Sequence, residues 1–111
     1  MLFPSVQEGF GWPLIEAQAC GCPVFTSDLT PMNEIGGPGA CYVDPHDPEA
    51  MANAIERAAG RFEEMRDLGL ENASNYSAEK MVMSYLAAHR RVLEAWRTVA
   101  GHQNGAVQDL P

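Results

Sequence analysis

Apolar residues come in short bursts in the first half of this chain and in helical rhythm in the second. Met1-Leu2-Phe3 before Pro4, Pro23-Val24-Phe25-Thr26 and Ala40-Cys41-Tyr42-Val43 are short apolar runs. Runs of this length with β-branched or aromatic members, bounded by Gly and Pro, predict buried strands. Between the first two, Pro13–Cys20 predicts a short helix, ended by Gly21 at the usual C′ position. Pro31–Ile35 predicts one helical turn, and Gly36-Gly37-Pro38-Gly39 a turn. From Pro48 the period changes. Met51, Ala54, Ile55 and Ala58 fall at i, i+3, i+4, i+7, behind Asp47 as N-cap and Pro48 at the first helical position.

Gly60 punctuates that helix. Arg61–Asn75 predicts a second one with Phe62, Met65 and Ala73 on one side, weakened by Gly69. Ser77 is the N-cap candidate for a third, Ala78–Val99. Its stripe is Val82, Tyr85, Leu86, His89, Val92, Leu93 and Trp96, expected to pack on a core with His89 buried or half-buried in it. Gly101–Pro111 is polar and aperiodic and is expected to be a disordered tail. Residues 1–99 are therefore read as one domain and 100–111 as its tail.

The stretch richest in chemistry is Ser5–Glu16, S-V-Q-E-G-F-G-W-P-L-I-E. It sits between the first strand and the first helix. Glycines after a strand let the backbone take positive φ and approach a ligand closely. Pro13 suits the first turn of a helix. The amides around Gly11, Trp12 and Leu14 are expected to point outward at a helix N-terminus, a ready site for phosphate. Glu8 in the turn and Glu16 on the helix, with seven residues between them, can face the crevice at the carboxyl end of a sheet. A phosphate between two acids that handle hydroxyl groups describes a nucleotide-sugar site better than a metal site.

The run E-G-F-G-W-P-L-I-E, followed by A-C-G-C-P-V-F-T-S, resembles the E-x7-E signature of retaining GT-B glycosyltransferases, the large family 4 group. Y-V-D-P-H-D-P-E-A-M-A-N-A-I and the Y-S-A-E-K helix resemble the end of that family's nucleotide-binding domain. The resemblance covers roughly Leu2–Trp96. It implies an α/β fold: part of a Rossmann-like nucleotide-binding domain with about three short parallel strands, flanking helices and a long C-terminal helix. It implies that Glu8 sits by the donor sugar in binding or catalysis. Gly9, Phe10 and Gly11 would form the loop that contacts sugar and phosphate. The Leu14 amide would meet the diphosphate, and Glu16 would bond the ribose hydroxyls. The donor is then a nucleotide-diphosphate sugar, with no further cofactor and no essential metal, and the acceptor is undetermined.

Charge and cysteines narrow the alternatives. The chain has 111 residues and a net charge of −8. Without a basic patch it is not expected to bind nucleic acid or an anionic membrane. No apolar run approaches the ~20 residues of a transmembrane helix, and no signal peptide is evident, so a cytoplasmic location is the expectation. Cys20, Cys22 and Cys41 are too sparse for a disulfide framework. Cys20-Gly21-Cys22 has no second pair and no neighbouring histidine, so it reads as two small residues at a helix end and a strand start rather than a metal site.

Against the family pattern, the chain is expected to hold only the last part of the second of two domains. The basic pair that meets the diphosphate and the acceptor-binding N-terminal domain would lie elsewhere or on a partner chain. Lys80 is the only lysine, and His46, His89 and His102 match no catalytic histidine. The expectation is a glycosyltransferase fragment with little or no activity alone. The alternative is a non-catalytic nucleotide-binding or interaction module left from such an enzyme.

Overall fold

The structure, a computed structural model, describes residues 1–105, with side chains up to Val99. It divides into two compact units, Met1–Tyr76 and the segment from Ser77 onward.

The first unit is built on a parallel sheet of three strands in the order β1 (Leu2–Phe3), β2 (Val24–Ser27), β3 (Ala40–Val43). Leu2 pairs with Phe25 and Phe3 with Thr26; Val24 to Ser27 pair in step with Ala40 to Val43. The central strand is buried along its whole length, which is why it reads as an unbroken apolar run rather than an alternating one. Val24 packs with Leu14 and Met32, Phe25 with Ala58 and Met65, and Val43 with Met51 and Ala54. Helices thus cover β2 on both faces, the layering of a partial Rossmann-like domain. Among the described residues the sheet leaves two edges, the outer sides of β1 and β3.

The helices are α1 (Trp12–Ala19), α2 (Met32–Ile35), α3 (Pro48–Ala58) and α4 (Phe62–Ala73). Gly21 follows α1 with φ +70°, the left-handed position expected of a C′ residue. Asp47 caps α3, its Oδ1 accepting from the Ala50 amide at 2.8 Å. Met51, Ala54 and Ala58 are buried and Ile55 half-buried, as the 3.6-residue period requires. Phe62 is partly exposed and meets the Phe25 ring edge-on at 6.3 Å between centroids.

Gly36–Gly39 is more than a turn. Gly37–Gly39 forms a 3-10 turn packed on α4. A Cβ on Gly39 would lie on the backbone of Gly69, and one on Gly69 would come within 3.1 Å of Gln18 Cγ. Gly69, which weakens α4 by propensity, is therefore the position where the chain approaches the helix most closely. Beside it Gln18, completely buried, donates to the Gly36 carbonyl at 2.7 Å and accepts from Asn72 Nδ2 at 2.7 Å. The same Nδ2 donates to the Ile35 carbonyl at 2.9 Å. One buried amide pair thus ties α1, α4 and the end of α2 together.

The second unit is the helix α5 (Ala78–Gly105), which continues past the expected end at Val99. The rest of the expected tail lies outside the described residues. Ser77 caps it, its Oγ accepting from the Lys80 amide at 3.2 Å. The expected burial of its stripe is not found: Tyr85, Leu86, Val92, Leu93 and Trp96 are all exposed. His89 is exposed too, its Nδ1 2.9 Å from the Tyr85 carbonyl oxygen. The period is that of an amphipathic helix, but periodicity alone does not supply the surface it packs on.

Candidate functional site

Parallel strands put all their carboxyl ends on one side, and the loop Pro4–Gly11 leaves β1 there. Two hydroxyls of β2 hold it. Thr26 Oγ1 donates to the Phe3 carbonyl at 2.9 Å, and Ser27 Oγ to the Ser5 carbonyl at 2.5 Å. Both residues are fully buried, so each hydroxyl must find a partner, and the loop's carbonyls are those partners. Ser5 in turn donates its Oγ to Glu8 Oε1 at 2.9 Å. Glu8 is half-buried and held by this chain of bonds before any ligand arrives.

The loop ends at Gly11, the N-cap of α1, with φ +98°. That backbone geometry strains any residue with a Cβ. It turns the chain sharply into Trp12 and Pro13 at the head of the helix. Gly9 is exposed, while Phe10 is half-buried with its ring 4.8 Å from Trp12 and 6.0 Å from Tyr76. The aromatic contacts stiffen the loop between its two glycines. Glu16 is exposed on α1.

Leu14 differs from expectation. Its side chain is completely buried under α1, and its amide donates to the Gly11 carbonyl at 3.0 Å. The tight first turn uses that donor internally. Gly11 and Trp12 keep N–H groups with no protein acceptor among the described residues, as the first positions of a helix must.

At the end of β2 a second polar cluster forms. Asn33 donates to Asp28 Oδ1 at 3.2 Å, and Thr30 reaches Glu34 Oε1 at 3.3 Å. Tyr42 on β3 donates its hydroxyl to the Gly37 carbonyl at 2.7 Å. Burial, then the negative charge of Asp28 and the neighbouring Tyr76, push the Tyr42 phenol up to about 12. Cys20, Cys22 and Cys41 are free thiols. Among the described residues no three His, Cys, Asp or Glu side chains come close enough to hold a metal ion. No helix there is long and apolar enough to cross a membrane.

The residues that sequence reasoning missed are Ser5, Thr26 and Ser27. Two polar residues closing an otherwise apolar strand were the available signal, but their partners lie more than twenty positions away.

A three-stranded parallel α/β layer with a glycine-turned strand-to-helix loop at its carboxyl edge is the architecture of a partial GT-B domain. Comparison with known proteins agrees: the chain belongs to the family described as glycosyl transferases group 1, whose model matches residues 1–60. Among its relatives is the O-antigen chain mannosyltransferase B of Escherichia coli, 31% identical over 80% of this chain and 24% of that protein. The O-antigen chain mannosyltransferase RfbU of Salmonella typhimurium is 35% identical over 78% of this chain and 25% of that protein. The D-inositol 3-phosphate glycosyltransferase of Thermobifida fusca is 35% identical over 85% of this chain and 23% of that protein. The chain thus spans about a quarter of the length of these three relatives. No solved structure gives a significant match.

Proposed function

We propose that this chain forms the donor side of an enzyme that transfers a sugar from a nucleotide-diphosphate sugar to an acceptor hydroxyl with retention of configuration. The observation that carries the reading is the Ser5-anchored Glu8 beside the Gly11-capped start of α1. Family membership supports it, and the names of the relatives all describe sugar transfer. No observation favours the non-catalytic module.

Glu8 is the catalytic candidate, held next to where the donor sugar would lie. Gly9, Phe10 and Gly11 shape the wall that sugar and diphosphate approach. The N–H groups of Gly11 and Trp12, left without a protein acceptor among the described residues, would with the positive end of the α1 dipole stabilise phosphate oxygens. Leu14 acts mainly by anchoring α1 in the core, and Glu16 accepts from the ribose hydroxyls. Departure of a nucleoside diphosphate also needs positive charge on the leaving group and an acceptor held close. Neither the loop nor α1 carries Lys or Arg. Efficient transfer therefore draws on groups beyond those this segment brings to the site, and the 111 residues alone are expected to transfer sugar poorly.

The test is an amide NMR titration of the chain with UDP, GDP and ADP. The expected result is a shift of the Gly9–Trp12 amides, reduced by Glu16→Ala. Shifts confined to other parts of the chain, or a response unchanged by Glu16→Ala, would refute the assignment of this loop and acid.

A further inference from the structure

The outer edge of β3 is an unpaired strand edge among the described residues. Val43 accepts from the amide of Asp28, the residue just past β2, at 2.9 Å, so its backbone groups face inward. By the alternation of a strand, Tyr42 turns its N–H and C=O away from β2. No strand pairs with that side among the described residues. Edges are commonly blunted by proline, charge or a bulge, and Ala40–Val43 has no proline and no charged residue.

Alongside this edge runs an open groove of about 330 Å³ between β3 and α3. Its floor on the helix is Ala50, Ala54 and Ala58, one helical turn apart, small enough to admit another backbone. Its rim carries Arg57 and Arg61. The charge there is unusual for this molecule. Met1–Tyr76 has twelve Asp and Glu against three arginines, and two of the three line this groove. Arg61 pairs with Glu64 at 2.8 Å, but both side chains are more than half exposed, so that pair exchanges readily with an incoming carboxylate. Arg57 is exposed and has no ion pair among the described residues.

We propose that this edge binds an extended acidic peptide segment of a partner protein, added to the sheet as a fourth strand. Main-chain bonds to Tyr42 would supply affinity, and Arg57 and Arg61 would select carboxylates on the incoming strand. A second copy of the chain fits less well. A twofold pairing of β3 on β3 keeps the same sheet face on both copies and so brings the two arginine-bearing rims to the same side.

The test is an amide NMR titration of the full chain with a capped hexapeptide of alternating valine and glutamate. Three controls go with it: a peptide with lysine for glutamate, a peptide N-methylated at alternate residues, and free acetate in place of peptide. The expected result is shifts at Tyr42, Val43 and Ala50–Ala58 with the acidic peptide only. Arg57→Glu, an exposed position whose fold is checked by circular dichroism, should weaken binding about tenfold, the loss of one charge-assisted contact. The N-methylated peptide keeps the charges and blocks strand pairing, so it tests the mode without altering the protein. The proposal is overturned if the acidic peptide causes no shift, or if the lysine or N-methylated peptide binds equally well. It is overturned equally if acetate alone reproduces the shifts, or if they arise on concentrating the chain without peptide.

Discussion

Replacing Asn72 by alanine tests the link between the core and the loop most directly. Its Nδ2 donates to Gln18 Oε1 at 2.7 Å and to the Ile35 carbonyl at 2.9 Å. Gln18 has no exposed surface, so its oxygen loses its partner in a place water does not reach. An orphaned buried acceptor costs about 1–3 kcal/mol, and the lost bond to Ile35 about 1 kcal/mol more. Asn72→Ala is therefore expected to destabilise the first unit by about 2–4 kcal/mol. Gln18→Met removes the acceptor itself while keeping an unbranched chain of similar size, but it also leaves the buried Gly36 carbonyl without its donor, and should cost about 2–4 kcal/mol. The double variant is then expected to fall short of the sum by about 1 kcal/mol, because the second change removes a group the first had left unpaired. Urea denaturation followed by circular dichroism reads all three, with a slope of about 1–3 kcal/mol per molar urea. A loss under about 0.5 kcal/mol for Asn72→Ala, or strict additivity in the double variant, would show that the buried amide pair does not hold α1 to α4.

Gly39→Ala should be worse than its size suggests. The new methyl would lie on the Gly69 backbone, which has no rotamer to yield, so a loss of about 2–3 kcal/mol is expected in the same denaturation assay. An effect within about 0.5 kcal/mol would mean that the 3-10 turn is not held against α4 as described. Tyr42 gives a pH signature. Its folded-state phenol is pushed up to about 12, above its ordinary value of 10.0. The neutral phenol is thus favoured in the folded state. Its contribution is full below pH 10 and is lost as pH rises toward 12. Allowing for solvent screening of a half-buried group, that contribution is about 1 kcal/mol. Spectrophotometric titration of the phenols should show one ionising late in the folded chain, and Tyr42→Phe should remove it. A titration with all tyrosines at their ordinary value would refute the burial argument.

What was legible in the sequence was local. The apolar runs at Val24 and Ala40, the Asp47-Pro48 cap and the glycine after α1 each declare their conformation through near neighbours, and the structure agrees with each. The loop carrying Glu8 was legible for the same reason, since glycines between a strand and a proline leave few alternatives. What was not legible depends on partners far along the chain. Gly69 looks like a flaw in a helix until Gly39 is placed against it. Thr26 and Ser27 look like an indifferent strand end until they meet Phe3 and Ser5. The α5 stripe erred the other way: its period specifies an apolar face, and the expected burial was an inference about a surface the period does not contain. The pairing of the Leu14 amide was a matter of detail: a tight first turn gives it the Gly11 carbonyl, where an ideal helix start leaves that donor open.

The two acids of the loop and helix differ in a way that bears on their proposed roles. Glu8 is half-buried and its carboxylate already has Ser5 as donor, with Ser5 itself fixed through Ser27. Its position costs little further ordering when a ligand binds. Glu16 is exposed on α1, and immobilising a side chain of that kind costs about 0.5–1.5 kcal/mol. An acid that must act on a reacting centre gains from being held in advance, because misplacement there costs rate steeply. An acid that only accepts from sugar hydroxyls can be ordered by the ligand itself. The rigidity of Glu8 and the freedom of Glu16 therefore match a division between chemistry and recognition. Under the proposed function, Glu16→Ala should weaken nucleotide binding, whereas Ser5→Ala should loosen Glu8 and lower transfer more than it lowers affinity for the nucleotide alone. Kinetics of an enzyme containing this segment would separate the two as a fall in kcat against a rise in KM. A pure KM effect from Ser5→Ala would place Glu8 with recognition instead.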